Sequence, residues 1–439
     1  MPLPTSSLRA RQIALFAFGV SAAVNAQDPQ LFPELTPAPA PPPSPEPSTS
    51  SRPASFYASS GATANSALVH DQAAAFWGED PIEAFINNPL QWGPFQLRPF
   101  GIYRFTYGNG LNVTPGNQVK TALHEITPGA VLQSRHLSFR YAPSLKYYSA
   151  DAFEDGVDHA ASANANFGVG DWFFTLGHAF SKTRSPLIET GAQTPQESHN
   201  TTLSAHFQHS EKTSFDFSLS QSLQEAEALN SSKSWSSMNW ANYHWTDKTL
   251  VGVGAGGGYT KQEFGADMTH EQLQARVGWT LGTKLSVNLN GGLEFRQFVD
   301  SPFDDQVKPI FGASIGYTPW EATTFSLSAN KSVGSSVLQA QTTETTSVSA
   351  GFRQRFLGVL HLDLFGGFSQ QDYQGFATTG TTLETDRSDE ILSFSANLGC
   401  EVFKNGDISI FYQHSKNDSS AEGYTYDSDQ YGFQIAYHF

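Results

Sequence analysis

Leu285-Ser286-Val287-Asn288-Leu289-Asn290-Gly291-Gly292-Leu293-Glu294-Phe295-Arg296 alternates apolar or small residues with polar ones along its whole length. In an extended chain successive side chains point to opposite faces, so Leu285, Val287, Leu289, Leu293 and Phe295 share one face. The other face carries Ser286, Asn288, Asn290, Glu294 and Arg296. Ordinary strands run about five or six residues, whereas a tilted strand needs about 9–11 to cross a bilayer. The pattern recurs. Leu97, Pro99, Gly101, Tyr103, Phe105 and Tyr107 oppose Gln96, Arg98, Arg104 and Thr106. Leu392, Phe394, Ala396, Leu398, Cys400 and Val402 oppose Ser393, Ser395, Asn397, Gly399 and Glu401.

Composition agrees with a wall solvated partly by lipid. Charged residues make up 15% of the 439, aromatics 13%, and there are 37 glycines. Soluble domains carry about 25% charge. Beyond the N-terminus no apolar run reaches the roughly 18 residues of a membrane helix, which excludes a helical bundle. The 34 Phe, 15 Tyr and 8 Trp argue against disorder. A net charge of −16 argues against a nucleic-acid partner, which needs a basic face. The single cysteine, Cys400, cannot form an internal disulfide or a cysteine zinc site.

From Phe95 onward 18 strands are predicted, with 16 as the alternative count. Their links alternate short and long. Ser134-Arg135, Gly168–Gly170, Ser210–Lys212, Thr246–Lys248, Gly282–Lys284, Pro319–Glu321, Leu357-Gly358 and Lys404–Asp407 are short. Between them lie longer stretches such as Lys182–His199, Lys331–Thr343 and Gln370–Arg387. Tight periplasmic turns and long external loops define an all-β, antiparallel, transmembrane up-and-down β-barrel, and an even strand count returns both chain ends to the periplasm. A soluble sandwich has no reason to sort its loops this way.

The chain ends Tyr431-Gly432-Phe433-Gln434-Ile435-Ala436-Tyr437-His438-Phe439. Tyr431, Phe433, Ile435, Tyr437 and Phe439 alternate on one face. This is the expected insertion signal, an aromatic edge that the barrel assembly machinery engages by strand addition.

Ahead of the barrel, residues 1–26 have the form of a signal peptide. Arg9 and Arg11 precede an apolar stretch from Ile13 to Val24, and Ala26 precedes Gln27. Residues 27–54 form a Pro-rich linker, with ten of the 24 prolines between Asp28 and Ala54. Such a segment is expected to extend as a periplasmic spacer. Residues 55–92 are expected to be an irregular or helical periplasmic or plug segment, with a short helix at Asp71–Trp77. Residues 93–439 are the barrel. The expected location is the bacterial outer membrane.

Arg98-Pro99-Phe100-Gly101, Thr127-Pro128-Gly129, Tyr141-Ala142-Pro143-Ser144 and Tyr147-Tyr148-Ser149 carry a family resemblance. In these motifs the barrel resembles the β-barrel porins associated with exopolysaccharide export. The resemblance implies an outer-membrane barrel linked to secretion of a surface polysaccharide, and it implies no catalytic residue.

If the apolar set faces lipid, Arg98, Arg104, Arg140, Lys146, Arg276, Arg296, Lys308, Arg353 and Arg355 face the lumen. The acids of that face are Glu125, Asp216, Glu294, Asp363 and Glu401, while others, such as Asp300, Asp304, Asp305, Glu384, Asp386, Asp389 and Glu390, fall in long loops. A mildly basic interior under an acidic mouth favours anionic solutes, since rings of lumen charge set ion preference. The competing expectation is that these bases pair with acids as a structural ladder. Trp172, Trp235, Trp245, Trp279 and Trp320 are expected to form the interfacial girdle. The 13 histidines are scattered, and neither Gly-x-Ser-x-Gly nor His-Glu-x-x-His occurs, so no enzyme is expected. His206 and His209 are expected to be polar lumen or turn residues. No cofactor and no metal are expected; the expected partners are outer-membrane lipid, the assembly machinery, and a glycan or small polar solute. Two functions follow: a porin-like channel, or a structural or surface-interaction barrel with a blocked lumen.

Overall fold

The computed structural model describes residues 90–438, apart from 110–112, 115–116, 185, 188–191, 228–229, 300–303, 336–340, 376–385, 403–404 and 422–423. The expected signal peptide, the linker and the stretch 55–89 lie outside the described residues, as does Phe439.

Eighteen long strands follow one another. They are β1 (Phe95–Gly108), β2 (Thr121–Gln133), β3 (Leu137–Tyr148), β4 (Gly156–Val169), β5 (Trp172–Thr183) and β6 (Gln196–Gln208). Next come β7 (Thr213–Ala226), β8 (Ser232–Thr246), β9 (Thr249–Gln262), β10 (Met268–Leu281), β11 (Leu285–Phe298) and β12 (Gln306–Trp320). The last six are β13 (Thr323–Ser335), β14 (Gln341–Phe356), β15 (Leu360–Gly375), β16 (Asp386–Val402), β17 (Gly406–Ser419) and β18 (Tyr426–His438). Every strand pairs antiparallel with its sequence neighbours, and β1 pairs with β18 from Phe100↔His438 to Gly108↔Gln430. The sheet therefore closes. Closure removes the unpaired edges that make open sheets stick to one another. Two short ribbons, Val113–Thr114 with Asn117–Gln118 and Pro186–Leu187 with Ala192–Gln193, decorate long links.

The count is 18 rather than 16. The short turns fall where the sequence puts them. Gly170, Gly282, Leu357 and Gly358 take positive φ there, the conformation that lets a two- or three-residue turn match strand twist. The long-link ends differ more. β13 runs on to Ser335, β15 to Gly375 and β16 starts at Asp386. Apolar alternation stops at the membrane surface, but backbone pairing continues above it, so strands outlast their sequence signal.

β18 reaches only Phe100 on the β1 edge. The edge beyond it is taken by Leu90–Trp92, through Leu90↔Leu97 and Trp92↔Phe95. The end of the 55–92 stretch, expected to be irregular or helical, is at Leu90–Trp92 a strand seated at the seam of the barrel.

Eighteen strands about 4.8 Å apart and tilted about 40° give a ring roughly 35 Å across. Outward faces carry Leu, Val, Ile and aromatic side chains; inward faces carry Ser, Thr, Asn, Gln and charge. Trp172, Trp245, Trp279 and Trp320 sit outward at short-turn ends, and Trp235 sits near the long-link end of β8. Register shifts beside Trp245 and between Tyr317 and Trp320 mark bulges at that rim.

Candidate functional site: the charged lumen wall

Lumen residues are set by the two-residue period together with cross-strand register. Glu125 lies between Arg104 on β1 and Lys146 on β3. The same pairing carries inward positions around the ring, and all nine basic candidates fall on the inward face by this criterion. Register also adds residues that the sequence hid. Asp158 pairs with Ser144, Asp389 with Gln371, Asp407 with Glu401 and Arg387 with Tyr373. Asp389, expected in a loop, is a fully buried β16 residue.

Most of the bases meet acids. Lys146 Nζ lies 2.6 Å from Asp158 Oδ2, Arg353 Nε 2.7 Å from Asp363 Oδ1, and Lys308 Nζ 3.1 Å from Oε2 of Glu344, whose other carboxylate oxygen Lys331 engages. Arg296 donates to Glu294 Oε1 at 2.6 Å, and Gln272 donates to the other carboxylate oxygen at 2.7 Å. Arg387 Nη2 lies 3.1 Å from Asp389 Oδ2, with its guanidinium between the Tyr373 and Tyr424 rings at 4.0 and 4.1 Å. Arg276 bonds Asp216, and both bond Asn242, through Arg276 Nε to Asn242 Oδ1 at 3.0 Å and Asn242 Nδ2 to Asp216 Oδ2 at 2.9 Å. His206 Nδ1 lies 2.6 Å from Asp216 Oδ1, which makes it part of this inward network. His209 lies in the turn after β6.

A second device recurs three times: an aromatic ring, a glycine on the next strand, and an arginine on the strand after. Phe100 pairs with Gly129, and a Cβ on Gly129 would lie 2.2 Å from the Phe100 ring. The ring therefore lies flat over β2, and Arg140 of β3 stacks on it at 5.2 Å. Trp240 lies over Gly254 in the same way, with Arg276 at 4.4 Å. Phe411 lies over Gly432, with Arg104 at 4.2 Å, and this instance crosses the seam between β18 and β1. The Arg98-Pro99-Phe100-Gly101, Thr127-Pro128-Gly129 and Arg140-Tyr141 stretches thus meet at one place. Cation–π contacts of this kind contribute about 0.5–2 kcal/mol each. Strand alternation alone does not mark Phe100, Trp240 and Phe411 as inward aromatics. The available signal was an aromatic on the polar parity opposite a glycine.

Arg98 donates to Gln96 at 2.9 Å and has no carboxylate partner among the described residues. Arg355 is exposed near the short-turn rim and likewise has none. Tyr431, Phe433, Ile435 and Tyr437 all face outward, 36–53% exposed. His414, Asp427 and Asp429 each place one ligand atom within 4.8 Å of the others at the long-link rim; Asp429 already accepts from Tyr412 at 2.5 Å.

A closed barrel with an apolar outside and a polar inside defines an outer-membrane β-barrel. Residues 264–439, which hold β10–β18, match the family model described as "Putative beta-barrel porin 2". The motifs around Arg98–Ser149 lie outside that match. No curated protein matches the chain. Among solved structures, the FrpB iron transporter (F3-3 variant) from Neisseria meningitidis aligns at TM-score 0.41 and 10% identity, over 79% of this chain and 63% of that one. This chain therefore spans less than two thirds of that transporter. The outer membrane protein opdK from Pseudomonas aeruginosa aligns at 0.41 and 11%, over 78% and 98%. OccAB3 from Acinetobacter baumannii aligns at 0.42 and 8%, over 78% and 98%.

Proposed function

We propose that the protein is an outer-membrane channel with a weak anion preference. It serves passage of small polar solutes or export of a surface polysaccharide. The observation that carries this reading is the polar inner wall of an 18-stranded barrel on which Arg98 and Arg355 lack carboxylate partners among the described residues. Barrels of 16–18 strands leave an aqueous channel. Paired lumen charges nearly cancel in the far field, so the bases without acids bias permeation. The outward edge Tyr431–Tyr437 is the surface offered to the barrel assembly machinery. No step of this function calls for catalysis or a cofactor.

The test is single-channel conductance of the mature protein in a planar bilayer, with and without residues 27–89. A steady conductance is expected, with a reversal potential on the anion side. Arg353→Gln with Arg355→Gln strips one base from Asp363 and removes another that has no carboxylate partner among the described residues, so anion preference should fall by about twofold or more. An unchanged reversal potential would remove these residues from selectivity. Silence in both forms would favour the alternative of a structural barrel with a blocked lumen, to which the ion-pair ladder lends support. Conductance only after truncation would make the N-terminal stretch a plug.

A further inference from the structure

β12 and β13 part before either strand stops. They pair from Trp320↔Thr323 up to Phe311↔Lys331 and no further, although β12 begins at Gln306 and β13 runs to Ser335. Each stays paired on its other side, β12 to β11 as far as Arg296↔Gln306 and β13 to β14 as far as Ser335↔Thr342. The wall is therefore slit between Gln306–Ile310 and Ser332–Ser335. Phe311 lies nine residues above the girdle residue Trp320, about 23 Å at a tilt near 40°. The slit thus opens at the top of the roughly 25 Å apolar band, level with the outer headgroups.

Charged side chains occupy the slit in place of backbone hydrogen bonds. Lys331 and Glu344 share the outward parity of Leu327 and Val348, whereas Lys308 has the inward parity. Lys308 Nζ nevertheless lies 3.1 Å from Glu344 Oε2, and Lys331 engages Oε1. An inward and an outward lysine meet on one carboxylate because no paired backbone stands between them. Arg296 reaches across β12 to the same place. Its Nη2 donates to the Val333 carbonyl at 2.9 Å, and Val333 pairs with Glu344. Arg296 also holds Glu294. His270, opposite Arg296 on β10, adds no fixed charge. Three cations against two acids leave the slit one positive charge in excess.

Donors are left over. The Arg296 side chain is 6% exposed, and its Nη1 has no hydrogen-bond partner among the described residues. The hydroxyl of Thr343, which is buried opposite Gly334, has none either. Burying a donor without a partner is costly. Gln306, directly opposite Arg296, has its amide oxygen buried without a partner as well, and a half-turn of that amide presents donors instead. Each ammonium carries three N–H groups and directs one at Glu344. Continuing the register past Phe311 sets Gly334 opposite Lys308, so no side chain fills that position.

We propose that the slit between β12 and β13 is a binding site for a phosphate group. One phosphate oxygen accepts from Arg296 Nη1 and Thr343, and the others take spare N–H groups of Lys308 and Lys331. Charge-assisted bonds of this kind are short and strong. The excess positive charge selects an oxyanion over a cation or a neutral hydroxyl compound. Glu344 is the built-in competitor, because it holds both lysines. Two sources reach this height: the phosphate of an outer-leaflet glycolipid from the membrane side, and free phosphate from the lumen. The inference needs only that the barrel spans a membrane, and it holds whatever passes through the lumen.

The test is equilibrium dialysis of the mature protein in maltoside micelles against radiolabelled inorganic phosphate, with ionic strength fixed by chloride. Saturable binding is expected. Glu344→Gln frees both lysines and should tighten it by about tenfold. Lys308→Gln with Lys331→Gln and Glu344→Gln removes both ammoniums without stranding the acid, and should weaken it by about tenfold or more. Heat-modifiability on a gel reports that each variant is folded. Lipid A added to the micelles separates the sources. Displacement of the labelled phosphate makes the glycolipid headgroup the occupant, and undiminished phosphate makes the site one served from the lumen. A native protein that binds no phosphate saturably overturns the proposal. So does phosphate binding that Glu344→Gln fails to tighten.

Discussion

Gly129→Val is expected to destabilise the barrel by about 3 kcal/mol. The first added carbon would sit 2.2 Å from the tip of the Phe100 ring, and that ring is 4% exposed, with nowhere to retreat on the wall. Overpacking a tight site costs about 1–3 kcal/mol, and lifting the ring also breaks its contact with Arg140, about 1 kcal/mol more. The measurement is the urea midpoint of the barrel refolded in vesicles. Adding Phe100→Ala to Gly129→Val should recover a large part of the loss, because the clash then has no second party. If the two substitutions prove additive, the ring does not lie over the glycine and the three-strand device is wrong at this place.

Asp216→Ala has the second largest expected effect, about 2–4 kcal/mol. Arg276 is 8% exposed and keeps its charge, so removing the carboxylate leaves a buried guanidinium without this acid and takes one hydrogen-bond partner each from Asn242 and His206. Breaking a fully buried pair costs about 3–5 kcal/mol. Asp216 is 21% exposed towards the lumen, which lowers the figure. Asp216→Ala with Arg276→Met should be more stable than Asp216→Ala alone, since it removes the uncompensated charge and leaves an apolar chain against Trp240. Equal stability of the two variants would mean that the pair is screened by lumen water and contributes little.

The barrel was legible because lipid imposes a two-residue rhythm that nothing else in a polar, glycine-rich sequence produces. Leu285–Arg296 displays it over a full crossing, and the short turns punctuate it. What the rhythm cannot supply is register. Asp158 faces the lumen beside Lys146, and Asp389 lies beside Arg387, only because neighbouring strands align at particular residues. Alternation within one strand is silent about its neighbour. The basic interior expected from a strand-by-strand list is accordingly closer to neutral, with Asp158, Asp389 and Asp407 added to its acids. Phe100 was hidden for a related reason. An aromatic residue reads as lipid-facing until the glycine opposite it is known.

The seam where β1 meets β18 has a kinetic consequence. Seventeen of the 18 pairings join strands adjacent in sequence, so each can form as a hairpin once its own segment is available. The remaining one brings Phe100 to His438 across nearly the whole described chain. A loop of that length is about five doublings longer than a ten-residue link, which adds about 3 kcal/mol of closure entropy. Slow, late ring closure follows from that entropy, and until it occurs β1 presents a bare hydrogen-bonding edge. Leu90–Trp92 sits on the part of that edge that β18 never covers. It is a local contact, able to form before the far strand arrives, and so shortens the stretch of β1 that has to wait.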